Sequence, residues 1–187
     1  MCITGGVAKR NRRNYSPQSQ APQGRDYKTN QPTNQPTNKM SYVKLLYHIV
    51  IRTKASQPVI QLEHSEELYR YIWGMIKNKN SMLYRINGME DHIHILVSLH
   101  PTIALSDFMR EMKAETSKML KRTTGFENFT AWSEGYAALT YGLKDKEMII
   151  NYIKNQREHH KTVSFKEEYM EFIREMGFVL DERDWER

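Results

Sequence analysis

The stretch Glu90-Asp91-His92-Ile93-His94-Ile95-Leu96-Val97-Ser98-Leu99 decides how the rest of the chain is read. Side chains alternate across a strand, so Ile93, Ile95, Val97 and Leu99 enter a core on one face while His92 and His94 project from the other. Two neutral imidazoles on one rigid strand are half of a site for a divalent cation. Two unrelated histidines on a solvated strand face are the competing reading.

Working outward, residues 43–53 alternate as a first strand, with Leu45, Tyr47, Ile49 and Ile51 on one face and His48 on the other. His48 reads most simply as a surface histidine. Residues 66–79 carry a helical stripe of Leu68, Ile72, Met75 and Ile76. Residues 82–89 predict a second strand, and Asn87-Gly88 is a hairpin-type turn signal ahead of the histidine strand. Ser106 is placed to cap a helix running to about Arg122, with Phe108, Met109, Met112 and Met119 inward. A fourth strand is expected over 135–142. Asp145 is placed to cap a helix over 146–160, and residues 165–176 predict a short last helix stopped by Gly177. The fold class is therefore α+β. The order β-α-β-β-α-β is the ferredoxin-like pattern, with a C-terminal tyrosine-bearing helix and a short extra helix appended.

The chain has 187 residues and a net charge of +6, which is unevenly spread. Residues 1–40 hold seven basic side chains against Asp26 alone, and residues 165–187 hold four basic and eight acidic ones. Residues 41–164 are left at +4. Cys2 is the single cysteine, which excludes an internal disulfide and a cysteine-based zinc site. No apolar run approaches the roughly 20 residues that span a bilayer, and the first eight residues make a poor signal peptide. A cytoplasmic protein is expected. Three segments follow: a disordered basic tail over 1–40, a catalytic domain over 41–164 and an acidic extension over 165–187.

The tail contains Asn30-Gln31-Pro32-Thr33 followed by Asn34-Gln35-Pro36-Thr37, the peptide that a translated tetranucleotide array would encode. Met40 stands directly before the periodic sequence. Translation beginning at Met40 is the expectation, with a phosphate-binding basic arm as the rival. Intact-mass measurement of the native protein separates the two.

Tyr152 and Gln156 in Asn151-Tyr152-Ile153-Lys154-Asn155-Gln156 lie one helical turn apart. An aromatic packed in an amphipathic helix is the plain reading of Tyr152. A nucleophile is the functional one; a phenol of pKa about 10 then needs a metal or a base beside it. Gln156 offers a neutral oxygen donor suited to the same cation.

These residues together resemble the HUH single-tyrosine transposases, the TnpA-like enzymes of single-strand insertion sequences and their repeat-associated relatives. The resemblance covers residues 41–164 and rests on Tyr47-His48-Ile49-Val50, His92-Ile93-His94, Trp132-Ser133-Glu134-Gly135-Tyr136 and Tyr152-Ile153-Lys154-Asn155-Gln156. It implies one divalent ion per active site, Mg²⁺ or Mn²⁺, held by His92, His94 and Gln156, with Tyr152 as the catalytic nucleophile. It also implies a 5′-phosphotyrosine intermediate and strand rejoining without ATP or any nucleotide cofactor. The expected partners are single-stranded DNA with hairpin structure and a second copy of the chain. In such a homodimer the tyrosine helix acts in cis or in trans, and the Gly142-Leu143-Lys144-Asp145 connector allows either. No membrane partner is expected.

Nucleic-acid contacts are expected from Lys113, Lys121, Arg122, Lys154 and Arg157, each of which also reads as an ordinary solvated charge. Stacking on Phe129, Trp132 or Tyr136 is a further option, although Trp132 reads better as core. Three alternatives stay open: a domesticated nuclease of repeat hairpins with the same catalytic residues, a ferredoxin-like module that binds single strands without cutting them, and a metal-dependent hydrolase that uses water, with Tyr152 structural.

Overall fold

The computed structural model describes residues 43–179 and Trp185, so the tail over 1–40 and the question of Met40 lie outside the described residues. Four strands form one antiparallel sheet in the order β2-β3-β1-β4. They are β1 (Tyr47–Arg52), β2 (Met82–Gly88), β3 (His92–Ser98) and β4 (Ala137–Thr140). This is the expected ferredoxin-like order, with the histidine strand in the interior of the sheet between β2 and β1.

Register fixes what each face carries. Ile49 pairs with Ile95 and Ile51 with Ile93, so these four point together into the main core. The helices α1 (Ser65–Asn78) and α2 (Leu105–Leu120) close that face, with Leu68, Ile72, Ile76, Phe108, Met109 and Met112 buried against it. Each fully buried aliphatic side chain there contributes roughly 1.5–3 kcal/mol of transfer free energy. Trp132 and Phe129 belong to this core, and the Trp132 indole N–H donates to Thr116 Oγ1 at 2.8 Å. They stack on protein, which leaves only Tyr136 of the three aromatics partly exposed.

The opposite face carries His92, His94 and Leu96 of β3, with Arg52, Val50 and His48 paired across on β1. Asn87 of β2 pairs with His94, and Ala137 of β4 with Val50. This face is roofed by α3 (Lys146–Lys154), the four-residue α4 (Gln156–His159) and α5 (Phe165–Glu175). A solvated histidine face is thereby excluded.

Three local expectations change. Asn87-Gly88 ends β2 instead of forming the turn, which runs through Met89–Asp91 and closes with Met89 N–H donating to the His92 carbonyl at 3.0 Å. Gly88 is needed for clearance, because a Cβ there would meet the His92 oxygen at 2.2 Å. Helix α2 begins one residue before Ser106, with Ala104 at the cap and no side-chain capping bond. Asp145 does occupy the cap position of α3, but its side chain makes no capping bond, and the expected single helix breaks after Lys154. The last helix follows its expectation closely. Ser164 and Glu167 form a reciprocal capping box at its start. Gly177, at φ +81, ends it in a Schellman arrangement: its N–H reaches Arg174 and that of Phe178 reaches Ile173.

Candidate active site

Strand β3 delivers His92 and His94 to one face, and both are buried, at 0% and 2% exposure. Each ring is oriented by a partner on its Nδ1. Asp91 Oδ1 lies 2.7 Å from His92 Nδ1, and His48 Nε2 lies 3.0 Å from His94 Nδ1. His48 is therefore a buried support for His94, not the surface residue that its strand position suggests. Nε2 of both His92 and His94 is buried without a hydrogen bond among the described residues. Buried polar atoms are seldom left this way unless something else binds them.

Burial holds all these rings toward the neutral form that a metal ligand needs. His48 is pushed down to about 4 by burial. His92 is lowered by burial, against the opposing pull of Asp91 and Gln156. His94 is lowered well below its ordinary value, by burial and then by the neighbouring His92, His48, His160 and His159.

The tyrosine arrives from the roof. Asn87, opposite His94 on β2, donates its buried amide to the carbonyls of Ile153 (3.0 Å) and Lys154 (3.2 Å). These bonds occupy orphan carbonyls at the end of α3 and pin it over the sheet. The break at Asn155 then turns Gln156 fully inward, at 0% exposure, with its Oε1 unpaired among the described residues. Tyr152 stands with its ring 5.9 Å from the rings of both His48 and His94. Tyrosine and glutamine thus face one site even though no continuous helix joins them.

Helix α5 completes the enclosure. Phe165 stacks flat on His92 at 3.6 Å and 6°, and Phe172 meets His48 edge-on. Glu168 Oε1 accepts hydrogen bonds from the Tyr152 hydroxyl and from Gln156 Nε2, the latter at 3.0 Å. Its Oε2 lies 2.8 Å from His160 Nε2, yet the pair is not aligned as a hydrogen bond. Burial, then Asp91, pushes the Glu168 carboxyl up to about 7. A cleft of about 560 Å³ runs between α3 and α5, lined by Tyr152, His48, Met148, Glu168 and Phe172.

Donor atoms from His92, His94, His160 and Glu168 all lie within 4.8 Å of one another. Buried imidazole and carboxylate donors of this kind, beside the unpaired Gln156 oxygen, fit a divalent cation. His160 and Glu168 were not singled out in the sequence. Glu168 was detectable as a carboxylate on the apolar stripe of Phe165, Tyr169 and Phe172; His160 left no such signal.

The five expected nucleic-acid contacts separate. Lys154 lies exposed at the end of α3, while Arg157 on α4 turns its guanidinium toward α1, where Nη2 donates to Ser65 Oγ at 3.4 Å. Lys121 and Arg122 lie exposed at the end of α2, on the other layer of the molecule. The Lys113 ammonium donates to the carbonyls of Ser133, Glu134 and Gly135 at 2.9, 2.9 and 2.5 Å, so it fastens that loop. No helix among the described residues is long and apolar enough to cross a membrane.

Comparison with known proteins bears on residues 41–156, which match the model of a family described as IS200-like transposases. The transposase of insertion sequence IS200 from Salmonella typhimurium is 30% identical over 120 residues, covering 62% of this chain and 78% of the relative. The ISDra2 transposase TnpA of Deinococcus radiodurans is 24% identical over 122 residues, covering 62% of this chain and 86% of that protein. Among solved structures, a REP-associated tyrosine transposase bound to a REP hairpin superposes with a TM-score of 0.51 at 14% identity. The overlap covers 69% of this chain and 76% of that one, and bears on the fold alone.

Proposed function

This chain belongs to the IS200-like transposase family, and from that membership we propose that it cuts and rejoins single-stranded DNA with Tyr152 as nucleophile. One observation carries the reading: Tyr152, Gln156 and the unpaired Nε2 atoms of His92 and His94 meet in a single buried site. His92, His94 and Gln156 would hold a divalent ion, Mg²⁺ or Mn²⁺. Such an ion, when bound, supplies positive charge to the oxygens of a phosphate undergoing in-line displacement.

The chain's own residues do the rest. Asp91 and His48 fix the rings of His92 and His94 through Nδ1. Asn87 fixes the end of α3 and with it the reach of Tyr152. The phenol oxygen attacks phosphorus as the bond to the 3′-oxygen breaks, the phenol proton passes to a neighbouring acceptor, and the departing 3′-oxygen takes up a proton from solvent to become a hydroxyl. The 5′-phosphotyrosine ester conserves the bond, so a second 3′-hydroxyl can displace the tyrosine and join strands without ATP.

Hairpin DNA is the substrate we propose, supported by the hairpin on the structural relative. Lys154, on the helix that carries Tyr152, is the candidate cation that would meet the strand. The homodimer implied by the family would not need to exchange helices, because tyrosine and histidines already meet within one chain. Residues 41–164 are read as the catalytic domain and residues 165–187 as its acidic extension.

Covalent trapping tests this function. End-labelled single strands from both flanks of the gene are incubated with the protein and Mn²⁺, then resolved on a denaturing protein gel. A labelled adduct is expected, lost with chelator and reduced on the order of a thousandfold or more by Tyr152→Phe. Cleavage that survives Tyr152→Phe would overturn the assignment and point to an activated water.

A further inference from the structure

The family match ends at residue 156, but the set of unsatisfied donors continues beyond it. His160 follows α4, and Glu168 sits in the middle of α5. Their side chains are 6% and 8% exposed.

Three imidazoles share one wiring. Nδ1 of His92 faces the Asp91 carboxylate, Nδ1 of His160 faces the Val163 carbonyl at 3.0 Å, and Nδ1 of His94 faces His48 Nε2. An ionised carboxylate and a carbonyl only accept, so His92 and His160 carry their proton on Nδ1 and present a bare lone pair at Nε2. For His94 either ring can donate across the 3.0 Å contact, and the state with Nε2 bare is the one in which His94 donates to His48. Glu168 is divided likewise: Oε1 receives Tyr152 and Gln156, while Oε2 makes no hydrogen bond among the described residues.

With the Glu168 carboxylate ionised, its Oε2 and His160 Nε2 stand 2.8 Å apart as two acceptors facing each other. That contact is repulsive unless positive charge lies against both. A shared proton would need the aligned bond that the pair lacks. A cation among four donors that lie within 4.8 Å of one another satisfies every one of them.

We propose that His160 and Glu168 join His92 and His94 as direct donors to the divalent ion, so that the ion itself fastens helix α5 across the tyrosine cleft. The proposal rests on the reading of His92 and His94 as ion ligands and extends it to residues outside the matched family region. Three imidazole nitrogens and one carboxylate oxygen suit a transition-metal ion better than Mg²⁺.

Co²⁺ serves as the probe, because its visible absorption reports the ligands directly. The full chain is titrated with Co²⁺ as parent, Glu168→Leu, His160→Gln and His92→Phe. Amide exchange across residues 165–175 is followed with and without the ion. The parent should give a saturable band, and Glu168→Leu and His160→Gln should each lose more than about a hundredfold in affinity, beyond the usual cost of a merely orienting partner. Any residual band should change shape, and ion-induced protection of residues 165–175 should vanish in Glu168→Leu. Far-UV circular dichroism of each variant without ion should match the parent.

Parent affinity and an unchanged band in Glu168→Leu and His160→Gln, with both lost in His92→Phe, would overturn this proposal and leave the two-histidine reading standing. A parent with no saturable band would overturn both.

Discussion

The two faces of the sheet are built by the same strands and reach opposite states. Toward α1 and α2, Ile49, Ile51, Ile93, Ile95 and Val97 pack in a largely apolar layer, whose Trp132 indole is paired to Thr116 and whose Tyr69 hydroxyl is buried without a hydrogen bond among the described residues. Toward α3 and α5, the alternate residues of those strands are His48, Arg52, His92 and His94. There His92, His94, Gln156 and Glu168 each keep a buried atom without a hydrogen bond among the described residues. One face supplies stability, and on the proposed function the other spends some of it to hold reactive groups in place. Active sites commonly make this trade, since groups arranged for a ligand or substrate are poorly arranged for each other.

The largest effect expected from breaking the comparison lies on the apolar face. Ile95→Ala should lower unfolding free energy by about 2–5 kcal/mol in urea titration, because it opens a cavity in a fully packed layer. Its influence on ion binding should be slight.

Acid should distinguish the faces next. His48 is held neutral, at about 4 against an ordinary 6.5, so the unfolded chain binds its proton first. The stability this contributes is complete above pH 6.5, is lost as pH falls through 4, and is on the order of 3 kcal/mol for full burial. Glu168 acts in the opposite sense: its carboxyl at about 7 favours the fold at low pH and gives that up as pH rises through 7. The histidines outnumber it. Amide exchange in the ion-free protein should therefore quicken in α3 and α5 below pH 6 while α1 and α2 stay protected; uniform loss across both layers would refute the contrast.

A smaller effect is expected at the joint between sheet and roof. Asn87→Ala removes both bonds to the end of α3 and should cost about 1–3 kcal/mol. It should also lower adduct formation more than stability predicts, because Tyr152 loses its placement. Equal stability and full adduct formation would remove Asn87 from the account.

Much of this was readable along β3, where alternation announces both faces at once. The register with β1 and the strand order follow the ferredoxin-like expectation for the same reason. What escaped the sequence depends on residues far apart in the chain. The break at Asn155 accompanies the Asn87 bonds from another strand, so no local helical signal reports it. Asn87-Gly88 looked like a turn because those residue types favour one; here the glycine clears the His92 backbone and the asparagine reaches α3. Ser106 lost the cap to Ala104 because α2 starts two residues earlier than a Ser106 cap requires. The acidic extension was legible as a helix stopped by Gly177, while the Ser164–Glu167 capping box at its start went unread. That Glu168 closes on Tyr152 depends on the packing of Phe165 over His92, a contact made across more than seventy positions of sequence.

The most direct measurement is urea unfolding of the parent and His92→Phe, each with and without Mn²⁺. Phenylalanine keeps the stack on Phe165 and removes the unpaired nitrogen. Without ion, the variant should be at least as stable as the parent to within about 1 kcal/mol. With Mn²⁺ at a hundredfold over its dissociation constant, the parent should gain about 2.7 kcal/mol and the variant almost nothing. A variant that loses as much as Ile95→Ala without ion, and gains as much as the parent with it, would contradict the account: His92 would then be structural, and the two faces of the sheet would not differ in purpose.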